Sequence, residues 1–127
     1  MELNVNAVSL YTVDLDAARR FYLEVLGLEV VHEEPGDVLV LKAGSLFLNL
    51  TKARPGQTDP GEIAGPQSAS GFSFNVWVDD VDAVAAELVG RGGVLLTLVR
   101  DRPWGMRNFT IADPAGHVWE FGQRLVD

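Results

Sequence analysis

The residue best placed to do chemistry is Glu120, in the stretch HVWEF at residues 117–121. A carboxylate between two large aromatic residues can be a structural accident, a general base, a metal ligand or a counter-charge for a cationic ligand. The side chains of a β-strand alternate between its two faces, so Trp119 and Phe121 face one way and Glu120 the other. Each interpretation of Glu120 implies a different kind of protein, and the rest of the sequence has to separate them.

The other candidate strands divide their side chains in the same way. One face is aliphatic and is predicted to pack on helices, because its burial contributes about 25 cal/mol per Å². The opposite face mixes polar and aromatic residues, which is typical of a small-molecule pocket, although an ordinary half-exposed sheet face would look similar. The candidate ligand-binding residues on this face are Tyr11, Phe47, Asn49, Ser73, Asn75, Trp77 and Glu120.

The loop RPWG, residues 102–105, adds a further aromatic candidate, Trp104. Proline before the ring and glycine after it indicate a turn that presents the side chain, either to a ligand or over a hairpin. Arg102 and Arg107 flank this tryptophan. They are interpreted as solvated, or as partners of Glu120 or of an acidic residue from a second protomer, and Arg107 is included among the candidate ligand-binding residues.

The sequence patterns of the two halves of the chain predict the same order of secondary-structure elements. The segment AVSLYTVDLDAARRFYLEVLGLEVV changes from strand to helix periodicity, with Asp14 or Asp16 as the N-cap and Gly27 as the stop. Three strands follow, LEVVHEE, DVLVLK and SLFLNLT. A shift of about 66 residues aligns SFNVWVDDVDAVAAELVGRGGVLL with this segment. The same order of elements then follows, with the strands VLLTLV, GMRNFTIA and HVWEFG and the turn DPAG before the last strand. The sequence therefore predicts two βαβββ modules in an α+β fold.

The predicted organisation is a single domain over residues 1–127, with module one at 1–51, a linker at 52–71 and module two at 72–127. The linker is rich in glycine and proline and has no periodicity. A connection of this length inside a compact domain is typical of either a plain crossover or a lid over a pocket.

Composition excludes several classes of protein. The formal charge of -8, from 18 acidic and 10 basic residues, argues against nucleic-acid binding and favours cationic ligands. There is no cysteine, so thiolate metal sites and cysteine nucleophiles are excluded. No apolar run approaches the roughly 20 residues of a membrane span, and the first residues do not resemble a signal peptide. A cytoplasmic protein without a membrane partner is expected.

Three stretches in order carry a resemblance to a known family: VDLDAARRFYLEVLGLEVV, VWVDDVDAVAAELVGRGG and RPWGMRNFTIADPAGHVWEF. Together they resemble the vicinal oxygen chelate superfamily, which includes glyoxalase I, extradiol dioxygenases, and fosfomycin- and bleomycin-resistance proteins. The resemblance implies paired modules that form a curved, partly open mixed sheet around a cup, with helices on the outer face. It also implies that so short a chain is a homodimer.

Metal enzymes of that superfamily hold an ion with His, Glu or Gln on the inward strands. The resemblance matches those positions to Ala7, Asn49, Ser73 and Glu120. Only the carboxylate is a strong donor, so no metal or other cofactor is expected. His32 and His117 are interpreted as structural or solvent-exposed.

The leading hypothesis is a non-catalytic protein, similar to the bleomycin-resistance branch, that sequesters a cationic or aromatic compound such as an antibiotic. The alternative is a lyase, isomerase or dioxygenase-type enzyme in which Glu120 is a general base or a ligand of an atypical metal site. A module that binds another protein or senses a metabolite is a third class, which no feature of the sequence selects.

Overall fold

The computed structural model describes residues 1–53 and 72–125. The predicted linker and its suggested role as a lid lie outside the described residues, except for Lys52 and Ala53. Module one contains β1 (Ala7–Thr12), α1 (Leu15–Arg20), a π-helical turn (Phe21–Val25), β2 (Glu29–Glu34), β3 (Val38–Ala43) and β4 (Leu46–Lys52). Module two contains β5 (Ser73–Trp77), α2 (Val81–Gly90), β6 (Leu95–Arg102), β7 (Met106–Ala112) and β8 (Val118–Arg124).

The strands form two four-stranded mixed sheets with the same connectivity. The strand order is β1-β4-β3-β2 in one and β5-β8-β7-β6 in the other. In each sheet the first strand of the module pairs in parallel with the last, and the remaining pairs are antiparallel. The predicted α+β fold of two βαβββ modules is confirmed, and the described strands form no closed barrel.

The two helices begin in the same way. The Asp14 carboxylate accepts a hydrogen bond from the amide of Ala17 at 2.9 Å, and the Asp80 carboxylate accepts one from Ala83 at 3.1 Å. Each aspartate thereby pairs an amide that has no partner within its helix. Of the two predicted N-caps for the first helix, the structure selects Asp14.

The helices end differently. Gly27 follows the π-helical turn and ends the first helix with a φ of 73°, a left-handed backbone conformation that favours glycine. At the aligned position in module two, Gly93 has no positive φ, and the left-handed residue is its neighbour Gly92, at 97°. A Cβ on Gly93 would lie 2.8 Å from the carbonyl oxygen of Leu88 and 2.9 Å from Val25. This glycine therefore permits close packing between the modules.

The buried residues of both modules form one hydrophobic cluster. Trp119 and Phe121 belong to it, as do Phe21 and Tyr22, so the predicted division of β8 into a core face and an open face is confirmed. The aliphatic strand residues in the cluster are Leu10, Leu39, Leu41, Leu48, Leu50 and Ile111.

A buried polar network joins the modules through Asp113, in the turn between β7 and β8. Its carboxylate accepts hydrogen bonds from the Tyr22 hydroxyl at 2.7 Å and from the amides of Ala115 and His117 at 3.0 and 2.8 Å. The same carboxylate lies 2.8 Å from His117 Nδ1, and the Trp119 indole donates to the Tyr22 oxygen at 3.2 Å. His117 is therefore a buried structural residue.

The charge of Asp113 is stabilised by this network. Burial acts to raise the pKa of its carboxyl, but hydrogen bonds from His117 and Tyr22 outweigh burial and hold that pKa below its ordinary value. Burial and the neighbouring Asp113 charge raise the pKa of the Tyr22 phenol far above its usual range. The phenol therefore remains protonated and donates to a charged carboxylate, which is a strong hydrogen bond.

Neither of the two helices in the described residues has the length and apolar character needed to cross a bilayer.

Candidate functional site

Glu120 lies on a central strand of the second sheet, facing away from the core. Strand register places it between Asn75 on β5 and Thr110 on β7. Its side chain is half-buried. One carboxylate oxygen, Oε1, accepts a 2.6 Å hydrogen bond from the side-chain amide of Asn108. The carboxylate is therefore held by a neutral donor, without an ion pair among the described residues.

Asn108 is the buried centre of this arrangement, with 2% of its surface exposed. Its amide oxygen accepts a 2.8 Å hydrogen bond from Arg102 Nε, while its amide nitrogen donates to Glu120. The guanidinium carbon of Arg102 also lies 5.7 Å from the centre of the Trp104 ring, within the range of a cation–π contact. Hydrogen bonds therefore connect Arg102, Asn108 and Glu120. The cation–π contact joins these residues to Trp104, in the loop between β6 and β7.

A cavity of about 210 Å³ opens in front of the carboxylate. Gly122 contributes to the space, because a Cβ there would approach the Met106 methyl group to 2.8 Å. A second cavity, of about 630 Å³, shares three lining residues with it. The volume of this second cavity is within the usual size of a small-molecule site. The smaller cavity is lined by Asn75, Trp77, Trp104, Met106, Asn108, Glu120 and Gly122.

Two tryptophans at this cavity are exposed to solvent to an unusual extent for such large side chains. Trp77 is 84% exposed and Trp104 is 65% exposed. Large aromatic rings left in water beside a carboxylate are available to stack on a flat guest or to face a cation. The lining of the smaller cavity therefore combines apolar contact area with one negative charge, that of Glu120.

The predicted site residues divide between the modules. The structure brings Asn75, Trp77, Trp104 and Glu120 together at the smaller cavity. Ser73 lies on β5 at the same parity, two residues before Asn75. Tyr11, Phe47 and Asn49 lie on β1 and β4 of the other sheet, and they do not line either of these cavities.

Arg107 points away from the cavity to the opposite face of β7. Its guanidinium binds Asp82 at 2.9 Å through two nitrogens and Asp101 at 3.0 Å. Hydrogen bonds and the charges of both aspartates raise the pKa of Arg107, and the Arg107 hydrogen bond lowers that of Asp82. Its contacts tie β6 and β7 to the start of α2.

Met106 and Asn108 were not among the residues predicted to line the site. Arg102 was interpreted as solvated or as a partner of Glu120, and the structure links it to Glu120 through Asn108. The hairpin turn at DPAG contained the information needed to place Met106 and Asn108. Register across that turn sets Thr110 opposite Glu120 and Asn108 opposite Gly122, so strand parity carries Asn108 and Met106 onto the Glu120 face.

The residues matched to metal ligands do not fit a metal ion. Ala7 and Asn49 lie on one sheet, Ser73 and Glu120 on the other, and only the last is a strong donor. In residues 1–53 and 72–125, no three His, Cys, Asp or Glu side chains are grouped to hold an ion. These side chains therefore do not support metal chemistry at Glu120, and function without a cofactor stays a prediction.

Comparisons with known proteins agree with the fold. The chain is 30% identical to an uncharacterized protein of Mycobacterium bovis, over 97% of this chain and 87% of that protein. The crystal structure of lactoylglutathione lyase from Agrobacterium tumefaciens has a TM-score of 0.74 and 29% identity, covering 97% of this chain and 95% of that one. TioX from Micromonospora sp. ML1 has a TM-score of 0.70 and 25% identity, covering 96% and 99%.

A family model matches residues 4–121, which run from before β1 into β8 and so include most of both modules. The matched family is described as the Glyoxalase/Bleomycin resistance protein/Dioxygenase superfamily. The chain belongs to this superfamily.

Proposed function

We propose that the protein binds a small cationic or aromatic compound, such as an antibiotic, in the two adjoining cavities at Glu120, Trp77 and Trp104, and acts by sequestering it. The observation that carries the proposal is a carboxylate anchored by Asn108 at a cavity walled by two exposed tryptophans, Trp77 and Trp104. The carboxylate supplies the charge, and the rings supply contact area for a flat guest.

A homodimer is part of this proposal. Tyr11, Phe47 and Asn49 carry the same mixture of aromatic and polar groups as module two, yet they lie on a separate sheet. In the described residues, β1 and β5 are edge strands, and each has one side without a partner strand. A second protomer that pairs with these edges would add the module-one residues to the cavity. A measured mass of twice that of the chain supports this arrangement, and a monomer contradicts it.

The binding proposal is tested by titrating cationic glycopeptide and aromatic antibiotics while following tryptophan fluorescence. For a ligand that binds, Glu120→Gln should weaken affinity about tenfold, because it removes a charge-assisted contact. Glu34→Gln is the matched control, since it removes the same charge from an exposed position on β2. Equal affinity in the wild type and Glu120→Gln would contradict a role for this carboxylate.

Proton-transfer catalysis is the second candidate. It is favoured by the free oxygen of Glu120, since only Oε1 has a hydrogen-bond donor among the described residues. It also fits the similarity to a structure described as a lactoylglutathione lyase. A lyase or isomerase reaction that survives in Glu120→Gln would exclude this residue as the base. Stoichiometric metal in the purified protein would instead favour an atypical metal site or dioxygenase-type chemistry.

A further inference from the structure

Asn108 has only one orientation that satisfies both of its neighbours. A guanidinium has no hydrogen-bond acceptor, so Arg102 requires the oxygen end of the amide. An ionised carboxylate has no donor, so Glu120 requires the nitrogen end. The observed bonds, 2.8 Å to Arg102 and 2.6 Å to Glu120, meet both requirements. Arg102 therefore determines that an N–H group of Asn108 points at the carboxylate.

The same arginine is in contact with the aromatic side of the cavity. Its guanidinium lies over the Trp104 ring at 5.7 Å. Trp104 is 65% exposed, in the tight turn between β6 and β7 where Gly105 has a φ of 82°. A ring this exposed has few packing contacts, so the cation–π contact with Arg102 biases its orientation.

We propose that Arg102 is a positioning residue that determines specificity at this site, and this inference rests on the proposed function. Through Asn108 it holds Glu120, and through its guanidinium face it holds Trp104, so one side chain sets the distance between the negative charge and an aromatic wall. Arg102 affects the binding of a flat cationic ligand through Glu120 and Trp104, and it does not itself line either cavity.

Charge and positioning predict opposite effects when Arg102 is removed. If only its charge matters, Arg102→Met makes the site more negative and a cation binds more tightly. If positioning matters, the same change weakens binding although the electrostatic attraction increases. Arg102→Lys separates the two further, because lysine keeps the charge but lacks the planar fork that bonds Asn108 while stacking on Trp104.

The binding experiment uses two probes of the same shape, 1-methylquinolinium, a cation, and 1-methylnaphthalene, which is neutral. We expect Arg102→Met and Arg102→Lys each to weaken the cation about tenfold, as for a lost charge-assisted hydrogen bond. The neutral probe should weaken less. The matched control is Arg100→Met, an exposed arginine on the same strand, which should leave cation affinity unchanged or slightly tighter. Wild-type or tighter cation binding in either Arg102 variant would overturn the proposal.

A measurement without ligand separates this proposal from the proposed function. In protein labelled with 5-fluorotryptophan, the Trp104 ¹⁹F resonance is assigned by its loss in Trp104→Phe. It should shift in both Arg102 variants, together with the side-chain amide resonances of Asn108 in a ¹⁵N spectrum, while buried Trp119 stays unchanged. Unchanged Trp104 and Asn108 resonances would overturn the positioning role. If neither probe binds the wild type but these resonances shift, the positioning holds and the proposed cationic ligand is wrong.

Discussion

The two modules share a backbone plan but differ in the chemistry of their open faces. In module one the register pairs Asn49 with Ser9 and Val40, and in module two the equivalent pairs place Asn75 and Thr110 beside Glu120. Connectivity and helix caps repeat closely, whereas the polar side chains on the sheet do not.

The most consequential difference lies two residues further along β4 and β8, at Thr51 and Gly122. Val38 opposes Thr51 in module one, where Asn108 opposes Gly122 in module two. Valine cannot bridge two polar groups, so the amide that anchors the carboxylate is possible only in module two. Glycine in place of threonine leaves space at the same point. Repetition of a fold therefore does not repeat a site, because a site depends on a few side chains.

The largest expected effect comes from the turn that joins the last two strands of each module. Asp113→Ala should cost about 3 kcal/mol or more, because it leaves the Tyr22 hydroxyl and other buried donors without an acceptor. Ser45→Ala, in the exposed module-one turn, should change stability by less than about 0.5 kcal/mol. Urea denaturation measures both, and equal costs would show that the two turns are equivalent.

The same aspartate makes the stability of the folded protein depend on pH. Its folded pKa is lowered, so its contribution to stability is complete above the unfolded value, about 3.9, and is lost as the pH falls through the lower folded pKa. Asp113→Asn should therefore lose less stability than the wild type on acidification below about pH 4.

The two aligned glycines should respond differently to substitution. Gly93→Ala should cost about 1–3 kcal/mol by crowding Val25 and the Leu88 carbonyl, and Gly93→Asn should cost more. Gly27→Ala should cost about 1–2 kcal/mol because of its positive φ, and Gly27→Asn less, since asparagine tolerates that conformation. Denaturant midpoints of the four variants test this. If the same substitution, alanine or asparagine, were the more destabilising one at both glycines, the distinction between crowding at Gly93 and positive φ at Gly27 would be contradicted.

The smallest difference is expected where the modules are alike. Asp14→Ala and Asp80→Ala each remove one cap hydrogen bond and should each cost about 1 kcal/mol. Thermal denaturation of the two single variants measures these costs. A cost in one variant more than twice that in the other would show that the helices depend unequally on their caps.

The sequence was most informative where periodicity and local chemistry decide the structure. Strand alternation placed Trp119 in the core and Glu120 on the open face, and an aspartate N-cap predicted the start of the first helix. Arg102 could not be placed in this way. Two register shifts interrupt the pairing of β6 with β7, so counting along the strand does not give the face of a residue near its end.

Local sequence alone determined the elements, their order and the face that Glu120 occupies, because these follow from backbone geometry over a few residues. Only the tertiary structure decided which groups meet. Tyr22 reaches Asp113 across 91 positions of sequence, and Arg102 reaches Glu120 through Asn108. Such contacts depend on strand register and on how the modules pack, and both are set by burial of the whole core, which no short stretch of sequence contains.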